Sequence, residues 1–197
     1  MSSKKKMSTR KLTVTGMMIA ITMILAYTPL GIIPLQPVSA TITHIPTIII
    51  ALLEGPIVGA IIGAAFGIVS LIKALTQPAG ILDPYFINPL VSILPRVLIG
   101  VVAGCSYKGF LAVIKNGTLS AILASALGSL TNTLGAMGMI YALYLNDMTQ
   151  RIGTAAGPVI WGIITTYGIV EMLAAAVICT TVVLALKRAV YRSTATE

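Results

Sequence analysis

Charge is the scarcest commodity in this chain. Only 9% of its 197 residues are charged, against roughly 25% in a soluble domain, which excludes an ordinary water-facing surface. The two cysteines, Cys105 and Cys179, have no spacing that suits a metal site or a redox pair, and they read as small packing residues. No Gly-x-x-x-x-Gly-Lys-Ser/Thr phosphate loop is present, so ATP hydrolysis by that route is excluded. Gly-x-Ser-x-Gly, His-Glu-x-x-His and paired-carboxylate patterns are missing too. No enzyme, resident cofactor or metal is therefore expected. Nor is there an arginine ladder of the voltage-sensor kind, or an inverted repeat of three segments such as many stand-alone carriers show.

What the chain has is apolar length. Hydrophobic residues make up 57% of it, and the mean hydropathy is +0.99. The composition predicts an all-α membrane protein, a polytopic bundle of six transmembrane helices over residues 12–187. A basic segment (1–11) precedes it and a short tail (188–197) follows. The six segments fall at about 12–27, 39–53, 57–75, 90–107, 119–145 and 158–186, the second being short for a span of about 20 residues. The basic start resembles a leader peptide, but no Ala-x-Ala-like site follows at Gly31-Ile-Ile-Pro34, so a retained first helix is expected.

The net charge of +8 raises nucleic acid as a partner, and the positions argue against it. Lys4, Lys5, Lys6, Arg10 and Lys11 precede the first segment; Lys187, Arg188 and Arg192 follow the last; Lys108 and Lys115 lie between the fourth and fifth. Six crossings put all of these on one side, which the positive-inside rule makes the cytosol. Both termini are then cytosolic and the location is the cell membrane. The outer connections keep only Lys73 and Arg151 at their edges. Those at 28–38 and 74–89 mix proline with apolar and aromatic residues, and they read as lids over an outer cavity.

The thirteenth basic residue, Arg96, lies inside the apolar run Val91–Ala103. An intramembrane arginine costs several kcal/mol unless it meets a cavity, an anion or a carboxylate, so Arg96 is the leading candidate to bind an anionic solute. Glu171 is the buried carboxylate of the sixth segment. At 1.5 Å per residue the two stand at different depths, about 10 and about 20 Å from the outer ends of their segments. A direct salt bridge is not implied, and Glu171 is left to accept ligand hydroxyls, to sit protonated or to couple protons. Asn132, between Thr131 and Thr133, either glues helices or meets the ligand. His44, at the start of the second segment, reads as a capping or packing residue and is kept as a secondary site candidate. Trp161 suits an aromatic belt, with a stacking role in the pocket as the second reading. Gly59, Gly63 and Gly67 form a small-residue ridge for internal packing. Gly16 and Ala20 repeat that pattern on the first helix, where packing and partner docking both fit.

Taken together, the basic start, the six apolar segments and the stretch Thr41-Ile-Thr-His-Ile-Pro-Thr-Ile-Ile-Ile-Ala-Leu-Leu-Glu-Gly-Pro-Ile-Val-Gly-Ala60 with its glycine ridge resemble the substrate-binding S components of energy-coupling factor (ECF) vitamin transporters, the pantothenate type above all. That resemblance implies an extracellular-side pocket under the first and third connections. It also implies a transmembrane coupling protein and two cytosolic ATPase subunits as partners, and a subunit that topples to release its cargo. It places docking on an Ala-x-x-x-Ala motif of the first helix, which this chain matches as Gly16 and Ala20 with glycine as a departure. Pantothenate offers a carboxylate for Arg96 and an amide and hydroxyls for Asn132, Asn88 and Tyr85. The alternative is a stand-alone ion-coupled carrier or channel for a small organic anion, working through Glu171.

Overall fold

The computed structural model describes residues 9–33, 40–78, 80–152 and 156–194. The expected basic residues Lys4, Lys5 and Lys6, the loop prolines Pro34 and Pro37, and the end of the C-terminal tail lie outside them. Seven α-helices are present among the described residues: α1 (Thr9–Tyr27), α2 (Ile45–Glu54), α3 (Pro56–Thr76), α4 (Pro89–Ser92), α5 (Leu94–Ile114), α6 (Gly117–Ile152) and α7 (Ala156–Thr194). With α4 and α5 taken as one interrupted element, they are the six segments of the sequence. Among the described residues the strand pairing is confined to a two-residue antiparallel ladder, in which Ile32 pairs with Thr41 and Ile33 with Ala40.

Four helices are long and apolar enough to cross a membrane, at Pro56–Thr76, Pro89–Ile114, Gly117–Arg151 and Ala156–Ala189. The element boundaries have local causes. Pro95 has no N–H to donate, and the helix breaks at Ile93 between α4 and α5. The fourth segment runs on to Ile114, further than its apolar run suggests, so Lys108 lies on a helix. Only Lys115 and Asn116 connect α5 to α6, with Lys115 in the left-handed region at φ 56 and the Asn116 side chain accepting from the Thr118 and Leu119 N–H groups. Gly55, at φ 99, makes the turn between α2 and α3, a conformation that favours a residue without Cβ.

At ten residues, α2 is only about 15 Å long, half the thickness of a bilayer core. It is nonetheless the centre of the bundle. It packs against α1, α3, α5, α6 and α7, and Ile45 through Leu52 are all buried. The glycine ridge explains how so many helices gather there. A Cβ on Gly59 would stand 2.6 Å from the Ala51 Cβ and 3.0 Å from the Gly100 Cα, while one on Gly63 or Gly100 would overlap the backbone of Arg96 or Gly59. The ridge is thus the α3–α5 contact, and the packing reading of the sequence holds. Large apolar side chains such as Met17, Ile24, Ile57, Leu75, Leu173 and Val177 point outward, as a lipid-facing surface requires. Inside, small residues such as Ala103, Ala121 and Ala124 sit among large ones such as Ile48, Phe66 and Ile99, and the small ones allow the close helix approach that joins helices in lipid.

Chain ends and turns sort to two poles. At one pole Lys11 pairs with Glu54 at 3.0 Å, and Lys187 donates to the Tyr107 hydroxyl at 2.6 Å. At the other Lys73 donates to the Ala26 carbonyl at 2.6 Å, tying the end of α3 to the last turn of α1, and Arg151 pairs with Asp147 at 2.9 Å.

Candidate functional site

A group of buried polar residues, among them Arg96, His44, Ser129, Asn132 and Glu171, gathers near the start of α2. Arg96 enters from α5 and is 6% exposed. Its Nη1 donates to the Val91 carbonyl at 2.8 Å. Two aromatic faces flank the guanidinium: Phe66 of α3, with its ring centroid 5.5 Å away, and Phe86 of the third connection, at 4.8 Å. Ring faces and one carbonyl favour a cation, but they carry no negative charge. Nε has no partner, and a buried donor left unmade costs about 1–3 kcal/mol. A carboxylate ligand would supply both the charge and the acceptor.

Glu171 does not supply them. Its carboxylate accepts from the Thr41 N–H at 2.7 Å, the Thr41 hydroxyl at 3.3 Å and the Thr133 hydroxyl at 3.0 Å. It stands near enough to Arg96 and His44 for the charges to interact, yet forms no ion pair with either. The sequence does not imply a direct Arg96–Glu171 salt bridge, and none is present among the described residues. Glu171 fastens the strand that follows the first connection to α6 and α7.

His44 is fully buried. Its Nε2 lies 3.1 Å from the Ser129 hydroxyl on α6, and its Nδ1 has no partner. It sits at the N-cap of α2, but its side chain makes no capping bond, so the capping alternative does not describe it. Asn132, one turn above Ser129, is buried with its Oδ1 unpartnered. Arg96, His44, Asn132 and Glu171 therefore share one interior.

Three other candidates are placed elsewhere. Tyr85 and Asn88 belong to the third connection, where a short 3-10 helix (Asp83–Ile87) leads into α4. The Tyr85 hydroxyl donates to Asp147 at 3.0 Å, and its ring lies 5.0 Å from that of Tyr144. Burial and the adjacent Asp147 carboxylate push the phenol above its usual range, so it remains a donor at neutral pH. The Asn88 amide donates to the Tyr144 hydroxyl at 2.9 Å, and its Oδ1 accepts from the Leu90 N–H at 2.9 Å. Both side chains bind this connection to the C-terminal part of α6. Trp161 is 59% exposed on α7 and is not brought to the cluster. On α1, Gly16 and Ala20 face outward, and nothing lies within 4 Å of a Cβ built on Gly16.

Phe66, Phe86, Thr133 and Thr41 take part in this arrangement without having been singled out as site residues. The available signal was the rarity of phenylalanine, three in the chain, together with one intramembrane cation in need of ring faces.

Comparison with known proteins follows the same line. The chain is 28% identical over 167 residues to the pantothenic acid transporter PanT of Lactococcus lactis subsp. cremoris, covering 78% of this chain and 80% of that protein. It is 35% identical over 115 residues to the pantothenate transporter PanT of Leuconostoc mesenteroides subsp. mesenteroides, covering 56% and 55%. Its fold matches a solved structure described as the S component of a bacterial ECF transporter, with a TM-score of 0.62 and 16% identity over 92% of this chain and 97% of that one. The family model for the ECF transporter substrate-specific component matches residues 10–184, and with that span the chain belongs to this family.

Proposed function

We propose that this protein is the membrane subunit that binds pantothenate for an ATP-driven ECF importer. Its termini are cytosolic, and a transmembrane coupling protein docks on the Gly16–Ala20 face of α1 and links it to two ATPase subunits. The observation that carries the reading is the state of Arg96: buried, flanked by two phenylalanine rings and without a carboxylate partner. Two relatives named for pantothenate transport support the choice of ligand. The orientation rests on the bias of Lys11, Lys108, Lys115, Lys187 and Arg188 towards one pole.

Equilibrium binding of labelled pantothenate to the purified chain in detergent tests the proposal. The wild type should bind. Arg96→Ala should abolish binding while thermal unfolding shows a folded protein. Arg96→Lys should weaken binding, because an ammonium lacks the planar fork that grips a carboxylate. Unchanged affinity in a folded Arg96→Ala protein would rule out Arg96 as the anion site.

A further inference from the structure

The first turn of α2 has the properties of a second binding point, distinct from the guanidinium. Ile48 makes the first backbone hydrogen bond of α2, to the His44 carbonyl at 3.2 Å. Pro46 has no N–H, and Thr47 is the residue just before Ile48. Helix geometry leaves the Thr47 N–H among the orphan donors of that turn. Its hydroxyl is likewise unpartnered, and Thr47 is 0% exposed. Helical side chains lean toward the N-terminus, so this hydroxyl is carried back over the first turn, where the His44 Nδ1 is also without a partner. Two side-chain polar atoms are thus unsatisfied at a helix start buried in an apolar bundle.

Depth relates this turn to Arg96. The Gly59 contacts set Ala51 of α2 level with Gly100 of α5. Thr47 and the Arg96 backbone each stand four residues outward from those positions, about 6 Å. From there the Arg96 side chain reaches further outward, to the Val91 carbonyl. The guanidinium therefore lies roughly one helical turn, about 5 Å, outward of the Thr47 backbone, the level that His44, three residues outward on α2, also reaches. The two points could grip opposite ends of one small molecule.

We infer that the first turn of α2 binds an uncharged hydroxyl-bearing end of the ligand, while Arg96 holds the anionic end. A hydroxyl suits the turn because it can accept from the helix N–H and donate to the imidazole nitrogen. The inference rests on the anion-binding reading of Arg96 and adds which end of the ligand meets which helix. For pantothenate, the carboxylate goes to Arg96 of α5 and the hydroxylated acyl group to the first turn of α2.

Three ligands and two positions test it. The ligands are pantothenate, pantothenol (an alcohol in place of the carboxylate) and an N-acyl β-alanine with a plain branched acyl group. Thr47→Val should weaken pantothenate and pantothenol about tenfold, the effect of one lost hydrogen bond, and leave the N-acyl β-alanine unchanged. Arg96→Lys should show the converse, weakening both carboxylates and sparing pantothenol. Thr47→Ser keeps the hydroxyl and should bind like the wild type, so a fall in both Thr47→Ser and Thr47→Val, with lowered thermal stability, would mark a packing role and overturn the inference. Equal pantothenate affinity in Thr47→Val, His44→Leu and wild type would overturn it while leaving the ligand assignment standing. A wild-type chain that ignored pantothenate would overturn both.

Discussion

Thr41 and Glu171, 130 residues apart, are joined by a 2.7 Å hydrogen bond from the Thr41 backbone N–H to the Glu171 carboxylate. The bond secures the end of the first connection to α7, and the Thr133 hydroxyl holds the other carboxylate oxygen. A carboxylate occupied in this way is a fastener for the first connection. Glu171→Ala should free Thr41 at a loss of about 1–3 kcal/mol, read as a lower unfolding temperature in detergent and faster hydrogen exchange across residues 40–44. Glu171→Gln keeps an acceptor oxygen and should lose less. Equal exchange in all three proteins would refute the fastening role.

The same arrangement bears on whether the chain works alone. Glu171 is the only carboxylate buried in the interior among the described residues, and its oxygens are engaged. The purified chain in liposomes should therefore fail to accumulate pantothenate under a proton or sodium gradient. Robust gradient-driven uptake would favour the stand-alone carrier.

The third connection should move as a unit. Tyr85 and Asn88 bind it to α6 through Asp147 and Tyr144, and Phe86 sits over Arg96. Tyr85→Phe removes one hydrogen bond, worth about 1 kcal/mol where the acceptor is partly solvated, and should loosen the closed position. A cysteine placed at Ile81, exposed on this connection, should label more slowly once ligand is added. The protection should weaken in Tyr85→Phe. Labelling indifferent to ligand would count against a lid.

On α1 the docking face is open to test by bulk. Gly16→Trp or Ala20→Trp should leave ligand binding intact, because both positions face away from the bundle. Uptake in cells should fail if a coupling protein packs there. Normal uptake would place docking elsewhere.

Packing makes an independent prediction. Gly100→Ala forces a Cβ into the Gly59 backbone, and the strain should lower stability by about 1–3 kcal/mol. Gly109→Ala, also inside α5 but with nothing within 4 Å, is the matched control and should keep or slightly raise the unfolding temperature, since alanine favours helix over glycine.

Much of this architecture is legible in the residues, and the gaps have physical reasons. Arg96 stands out because one cation in an apolar run has no cheap explanation. The glycine ridge is visible because small residues at four-residue spacing have few uses other than close helix contact. Phe66 and Phe86 are not legible as ring partners, since they come from different segments and share no periodicity with Arg96. Tyr85 and Asn88 look like ligand groups because the sequence shows polar atoms in a loop but not Tyr144 and Asp147, about sixty residues later, that engage them. The second segment betrays its shortness in its length. That five helices surround it follows only from the assembled bundle.

That enclosure shapes how the protein is made. A ten-residue helix gives the insertion machinery too little apolar length to recognise as a span of its own. It must enter the bilayer as the arm of a hairpin with α3, turned at Gly55, and wait for α5, α6 and α7 to be synthesised before its surface is covered. Substitutions in α2 should therefore show themselves first during biogenesis, as chains degraded or misinserted, and only in survivors as altered ligand affinity.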